Sequence, residues 1–311
     1  MSEEPVFIVC PCFNENETVV RFVRELETVV APLPRSFRLV IVDDSSTDNT
    51  LELLKALLPQ VPNVRINILS LRYNVGHQGA IYQGLIYCQR ENAQQVIVMD
   101  ADGEDDPSAI RKLITMTDYD IVHVVRGKRK ENFIFRFSYM IYKSLFKLIT
   151  NRVMNFGNYC MLSRRVLESV TATSFIHFAA HLSKLKTHAS SIQIDRRKRI
   201  DGTSKMSLTG LIHHAFKSFV EYAEELLMIF LRLFVILFIL FSLLILYIIY
   251  LKLFTDKAIL GWASTLSIGL MNAGIITVGF FVIGVLLLHL SQHRTRNAQN
   301  EIYEVIDLPG K

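Results

Sequence analysis

Two long apolar runs constrain this chain more than anything else in it. Leu226 to Phe254 reads LLMIFLRLFVILFILFSLLILYIIYLKLF, and Ala263 to Leu290 reads ASTLSIGLMNAGIITVGFFVIGVLLLHL. At about 1.5 Å of rise per residue, either run can cross a bilayer core of about 30 Å as a helix. A buried helix of a soluble core needs only about 10–14 apolar residues. The runs therefore predict two transmembrane helices, 226–254 and 262–290. Arg232 lies close enough to the start of the first for its guanidinium to snorkel to the headgroups.

Two crossings would return the tail, 291–311, to the side that holds residues 1–205. Lys205, Lys217, Arg294 and Arg296 flank that side, against Lys252 and Lys257 in the loop between the runs, which predicts that it is cytoplasmic. Met1–Pro5 pass directly into strand-like VFIVC, with no signal-peptide pattern. Cys10, Cys12, Cys88 and Cys160 show no zinc spacing and read as buried, reduced thiols. An integral membrane protein with a cytoplasmic catalytic domain is expected, the bacterial inner membrane being the favoured location.

The part before the apolar runs alternates strand and helix patterns. VFIVCPC, FRLVIVDD, VRINILSL, QVIVMD and YDIVHVV read as strands. ETVVRFVRELETVV places Val19, Val20, Phe22, Val23, Leu26, Val29 and Val30 at helical spacing. STDNTLELLKALL and HQGAIYQGLIYCQRE are the next helices, and a short one starts near Pro107. Such alternation predicts an α/β domain with a mainly parallel sheet covered by helices on both faces. In sheets of that kind ligands bind beyond the carboxyl ends of the strands. Those ends are Pro11–Glu15, Asp43–Asp44, Arg72–Gln78, Asp100–Asp106 and Arg126–Arg129. In a chain of net charge +5, acidic clusters therefore converge on one edge with several bases nearby.

Asp100 ends its strand and Asp102 follows in the turn. Two carboxylates so placed can hold a hard divalent cation, which could clamp a diphosphate and offset its charge as a leaving group. Capping of the helix at Pro107 is the competing role for this acidic stretch, and it serves Asp105 and Asp106 equally well.

Four motifs carry a resemblance. CPCFNENETV, VDDSSTDNT, NVGHQGAIYQGL and VMDADGEDDP stand in the order and spacing of family 2 glycosyltransferases of the GT-A fold. RRKRIDGTSK and the two apolar runs extend the likeness to the polyprenyl-phosphate branch of that family. By this resemblance Pro11, Asn14 and Glu15 line a nucleotide pocket, while Asp43 and Asp44 grip base and ribose. Asp100, Ala101 and Asp102 form the Asp-x-Asp site for Mg²⁺ or Mn²⁺ and diphosphate. Gly76 permits close backbone approach, and His77 stands at a phosphate or ribose contact where the family usually has lysine. A UDP-sugar is the expected donor in preference to a GDP-sugar. The chain departs from the branch at Gly157-Asn158-Tyr159, where relatives show Gly-Asp-Phe, and at Gly103-Glu104, where many show Leu-Gln.

Arg196, Arg199, Gly202, Ser204 and Lys205 match the branch pattern Arg-x-x-Arg-x-x-Gly-x-Ser-Lys. Guanidinium forks, an ammonium and a hydroxyl suit diphosphate oxygens, and the same bases suit anionic lipid. Arg126 and Arg136 belong to a second basic group and are the candidates for the acceptor phosphate. Residues 133–150 place Ile134, Phe137, Ile141, Leu145 and Leu148 on one helical face, and 206–225 do so with Leu208, Leu211, Ile212, Ala215, Phe216, Phe219 and Ala223. Both read as interfacial amphipathic helices, with packing on the domain as the alternative.

The expected reaction is inverting transfer of a sugar from a nucleotide diphosphate sugar to a polyprenyl phosphate. A phosphate monoester loses its second proton near pH 6, with a pKa of about 6, so no general base is needed. A different lipid or glycan acceptor, or a non-catalytic membrane-anchored nucleotide-sugar binder, remain the alternatives. Expected partners are the nucleotide sugar, the lipid acceptor and the membrane, without nucleic acid. Small residues in the second run (Gly269, Ala273, Gly274, Gly279, Gly284) leave a homo-oligomer open.

Overall fold

The computed structural model describes residues 4–126, 140, 144, 146–147, 150, 156–194, 217–254, 261–297 and 302–308. The chain forms two compact units. One comprises Met1–Ser144, Arg152–Glu221 and Gln299–Lys311, the other Leu145–Asn151 and Tyr222–Ala298.

The first unit is built on an eight-stranded mixed sheet in the order β7-β5-β6-β4-β1-β2-β3-β8. Its strands are β1 (Val6–Cys12), β2 (Phe37–Asp43), β3 (Val64–Leu71), β4 (Gln95–Val98), β5 (Ile121–Arg126), β6 (Cys160–Ser163), β7 (Ala189–Ile194) and β8 (Tyr303–Leu308). The four central strands, β4, β1, β2 and β3, are parallel. Their near-continuous Val, Ile and Leu content reflects burial on both faces. On one face lie α1 (Val19–Val30) and α2 (Thr50–Lys55), which contribute Phe22, Val23, Leu26 and Leu54 to one apolar cluster. The other carries α3 (His77–Arg90) and the helices Arg164–Thr171 and Phe178–Lys184, whose Leu85, Val170 and Phe178 join the second cluster. Gly84 lets α3 settle onto the sheet: a Cβ there would stand 2.5 Å from Val9 Cγ1 and 3.0 Å from Val42 Cγ2.

Two strands were not foreseen. β6 lies between β4 and β5, antiparallel to both, and four residues (CMLS) are too few to leave a periodicity. β8 comes from the segment expected as a tail. It pairs antiparallel with β3 from Ile66↔Leu308 to Leu71↔Tyr303.

The second unit contains the helices Ala223–Phe254 and Trp262–Asn297. Of the expected pair of spans, only one helix meets the length and apolarity needed among the described residues. That is Ala223–Leu251, 29 residues at mean hydropathy 3.0. In the other helix the apolar stretch among the described residues is the shorter Met271–Leu287. The two helices pack tightly at Gly284, where a Cβ would meet Leu227 Cδ1 at 2.9 Å. The amphipathic segments expected over 133–150 and 206–225 lie mostly outside the described residues.

Candidate active site

The parallel strands end together, and their carboxyl ends carry the residues singled out from sequence. Pro11 is buried in β1. After β1 the backbone turns at Asn14, whose φ is 54°. Asn14 Oδ1 accepts from Thr47 N–H at 2.9 Å, and Asn14 N–H donates to Ser46 Oγ at 3.0 Å. Glu15 N–H donates to Thr50 Oγ1 at 2.9 Å, and its carboxylate accepts from the Thr18 hydroxyl at 2.6 Å. These bonds tie the β1 loop to the β2 loop, so Asn14 and Glu15 brace this edge of the sheet.

Asp43, the last residue of β2, is buried, with Oδ2 accepting from Ser46 N–H at 3.3 Å. Its Oδ1 is buried without a hydrogen-bond partner among the described residues. Burial pushes the Asp43 carboxyl up, against the pull of the Ser46 hydroxyl and amide. Asp44 is also buried and also raised by burial, although the amides of Val75 and Gly76 act to lower it. Its Oδ1 accepts from Val75 N–H at 2.7 Å, and its carbonyl accepts from Asn74 Nδ2 at 3.1 Å. Asp44 thus fastens the β2 end to the β3 loop. A buried carboxylate oxygen with no partner, as in Asp43, fits a ligand that brings an N–H or O–H donor.

The β3 loop leads into α3 through Gly76, at φ 79°. An L side chain would be strained in that conformation. His77 opens α3 with its Nε2 at 3.2 Å from Asp100 Oδ1 and 3.0 Å from Asn158 Nδ2. Desolvation in the cleft works to lower the His77 pKa, but Asp100, then Asp102 and Asp44, outweigh it and raise the value. An Nε2–H that donates to Asp100 cannot also accept from an amide N–H. With His77 so protonated, Asn158 presents its oxygen to the ring, since the two ends of its amide are interchangeable in shape.

The turn after β4 divides its carboxylates between two tasks. Asp106 caps the short 3₁₀ turn Pro107–Ala109 through Ser108 N–H at 2.9 Å. Buried Asp105 accepts from Asp100 N–H at 2.9 Å. These two therefore have structural roles and hold Asp100 in place, with Ala101 buried beside it. Asp102 Oδ1 accepts from Glu104 N–H at 2.9 Å, which orients the second carboxylate of the pair. Among the described residues no group of three or more His, Cys, Asp or Glu side chains is arranged to hold a metal ion. The two carboxylates supply hard oxygens, and Mg²⁺ typically takes one or two of these together with phosphate oxygens and water. The donor set fits that mode.

The fold brings Pro11, Asn14, Glu15, Asp43, Asp44, Gly76, His77, Asp100, Ala101 and Asp102 to one edge. Arg126 ends β5 on the flank of the sheet. Arg136, Arg196, Arg199, Ser204 and Lys205 lie outside the described residues. The four cysteines are free and buried, as expected. The sequence did not reveal that His77 meets Asn158, since the two are 81 residues apart. The only signal was that both sit at departures from the family pattern.

Comparison with known proteins agrees with this geometry. An uncharacterized glycosyltransferase of Bacillus subtilis (strain 168) is 26% identical over 286 residues, covering 89% of this chain and 86% of the relative. An undecaprenyl-phosphate 4-deoxy-4-formamido-L-arabinose transferase of Pseudomonas syringae pv. syringae is 28% identical over 221 residues, 68% of this chain and 63% of its own. Mannosyl-3-phosphoglycerate synthase from Rubrobacter xylanophilus shares the fold at a TM-score of 0.56 and 16% identity, covering 71% of this chain and 74% of that one. Glucosyl-3-phosphoglycerate synthase from Mycobacterium tuberculosis, solved with Mn²⁺ and UDP-glucose, does so at 0.52 and 14%, covering 72% and 79%. The sequence pattern of glycosyl transferase family 2 matches residues 7–178, more than half of the chain, and the protein belongs to that family.

Proposed function

We propose that this protein is a membrane-anchored inverting glycosyltransferase that moves a sugar from a nucleotide diphosphate sugar to a polyprenyl phosphate at the cytoplasmic face. The observation that carries the reading is the shared edge where buried Asp43, the α3 start at His77 and the Asp100–Asp102 turn meet. Asp43 Oδ1 suits an N–H of the base, as uracil offers. The start of α3 and His77 suit the diphosphate. Asp100 and Asp102 would hold Mg²⁺ or Mn²⁺, which supplies charge neutralisation to the departing nucleotide. Arg126, Arg136, Arg196, Arg199, Ser204 and Lys205 are proposed for the acceptor phosphate and the diphosphate on the basis of their sequence pattern.

The chemistry needs little from the side chains. An oxygen lone pair of the phosphate dianion forms the new bond to the anomeric carbon from the face opposite the diphosphate. The carbon–oxygen bond to the diphosphate breaks, and its electron pair leaves with the nucleotide. No proton has to move, so the site can dispense with a general base. Its work is to orient both phosphates in line.

A lipid acceptor is supported by the apolar helix Ala223–Leu251 and by the likeness to an undecaprenyl-phosphate transferase. A second crossing, through Trp262–Asn297, is supported by connectivity. Glu221 before the helix pair and Tyr303 after it both belong to the sheet unit, so a chain that crosses once has to cross back. Met271–Leu287 stands at the short end of the range of about 17–25 residues that spans a bilayer.

The test is incubation of the purified full chain, with Mg²⁺ or Mn²⁺, against a panel of UDP- and GDP-sugars and polyprenyl phosphates. A lipid-extractable sugar phosphate of the right mass supports the reading. Transfer only to water-soluble phosphorylated or glycan acceptors would replace the acceptor, and nucleotide binding without turnover would leave a non-catalytic binder.

A further inference from the structure

The chain enters the apolar helix pair just after Glu221 and returns at Ile302; Ile302 bonds one end of a short segment of the candidate site, and Glu221 is linked to its other end through the turn 176–178. At the entry, the buried Glu221 carboxylate accepts from Ile176 N–H at 2.8 Å, His177 N–H at 3.2 Å and His181 Nδ1 at 2.8 Å. Lys184 Nζ donates to its carbonyl at 2.8 Å. This clamp fixes the turn 176–178, from which Phe178 N–H donates to Gln78 Oε1 at 2.5 Å. Gln78 Nε2 is buried with no partner among the described residues, so the bond from Phe178 is what orients that amide.

At the return, Ile302 O accepts from Arg72 N–H at 2.8 Å. Tyr303 stands edge-on to Tyr87 at 6.3 Å, and its hydroxyl accepts from Arg90 at 3.3 Å. Arg72 and Gln78 bracket the segment that carries Asn74 and Val75, which hold Asp44, and Gly76 and His77, which reach Asp100. One end of the segment is therefore bonded beside the strand that follows the helix pair, and the other is bonded by the turn that Glu221, which precedes the pair, clamps.

We infer that Glu221 is a positioning residue that acts with β8 to set the segment 72–78, so that the site is assembled only when the two stretches of the sheet unit that flank the apolar helix pair in sequence are both in place. The inference rests on the transferase reading only for what the site binds, and the contacts themselves stand apart from it. A buried carboxylate with three donors is hard to replace locally, because removing it strands two backbone amides and an imidazole at once.

The test uses the full chain in lipid nanodiscs, following amide hydrogen exchange of peptides covering 72–79. Glu221→Ala should speed exchange there at least about tenfold, the loss expected when one charge-assisted hydrogen bond no longer opposes local opening. Glu221→Gln, which keeps an acceptor for the two amides, should restore most of the protection. Leu26→Ala, a cavity on the opposite face of the sheet, should loosen the sheet without favouring 72–79. With UDP and Mn²⁺ as the probe, the dissociation constant should rise in Glu221→Ala and recover in Glu221→Gln. If Glu221→Ala does not fold, Gln78→Ala cuts the same link and should expose 72–79 equally. Unchanged exchange in 72–79, or a rise matched by Leu26→Ala, overturns the inference. A wild-type chain that binds neither UDP nor GDP overturns the transferase reading instead, and the exchange result still decides the coupling.

Discussion

Replacing Asp43 with asparagine should stabilise the unliganded protein while weakening its hold on nucleotide. The side chain is 1% exposed; Ser46 N–H reaches its Oδ2 at 3.3 Å, and the Ser46 hydroxyl also acts on the carboxyl. Oδ1 is buried without a partner among the described residues. Burial raises the Asp43 pKa, so the group favours folding below its ordinary value of 3.8, and that contribution is lost as pH rises through the folded value. At neutral pH the ionised form is a net cost. A buried unsatisfied polar group costs about 1–3 kcal/mol. Asparagine keeps an acceptor for Ser46 but puts an amide N–H₂ in the orphan position, so we take the low end, a gain of about 1 kcal/mol. For a unit of this size that is roughly 2–4 °C in Tm. A hydrogen bond from a ligand N–H to the carboxylate is worth about 1.5–3 kcal/mol, which makes the expected loss of nucleotide affinity about 10- to 150-fold. Thermal unfolding followed by circular dichroism, and calorimetric titration with UDP and GDP in Mn²⁺, measure the two effects. The stability gain should vanish as the pH approaches 3.8. A lower Tm at pH 7 combined with unchanged affinity would refute both the burial cost and the ligand role.

Gly84→Ala sets two effects against each other. Alanine gains about 1 kcal/mol of helix propensity, but its Cβ would lie 2.5 Å from Val9 Cγ1, and overpacking of this kind costs about 1–3 kcal/mol. A lower Tm is expected, and a rise would show that α3 can lift off the sheet freely. Asp102→Ala should abolish metal-dependent transfer while leaving Tm within about 1 kcal/mol of wild type in free-energy terms, since the bond it accepts from Glu104 N–H lies in a turn. Undiminished turnover would remove it from the metal site. Burial acts to raise the Glu221 pKa, but bonds from His181 and the amides of Ile176 and His177 bring it below 4.5. Its contribution is therefore present above pH 4.5 and is lost as pH falls through the folded value. The Tm gap between wild type and Glu221→Gln should hold at neutral pH and close on acidification, and a gap independent of pH would refute the assignment of this contribution to the Glu221 carboxylate.

Much of the site was legible because strand ends are legible. Asp43, Asp44 and Asp100 follow runs of β-branched residues, and a parallel sheet collects such ends on one edge. The division among the acidic residues was not readable in the same way. Asp105 and Asp106 look like Asp100 and Asp102 in the sequence, yet one braces the Asp100 amide and the other caps a turn. Which carboxylate faces the cleft depends on backbone direction within a few residues, and composition carries no trace of that. The apolar runs were legible as two long helices; among the described residues one, Ala223–Leu251, is long and apolar enough to cross a membrane, and in the other the apolar stretch is Met271–Leu287. Strand β6, four residues between β4 and β5, and β8, an edge strand far along the chain, escaped notice because both are defined by their antiparallel partners.

By itself, the sequence determined the α/β alternation, the central parallel strands and the acidic strand ends, since side-chain periodicity and apolar run length act locally along the chain. Only the tertiary structure decided that β8 returns from beyond the apolar helices to lie against β3, that His77 meets Asn158 and Asp100, and that Glu221 clamps the turn beside Gln78. Those contacts join residues that local propensity cannot relate, because each is favourable only after the rest of the sheet has brought its partners within hydrogen-bonding reach.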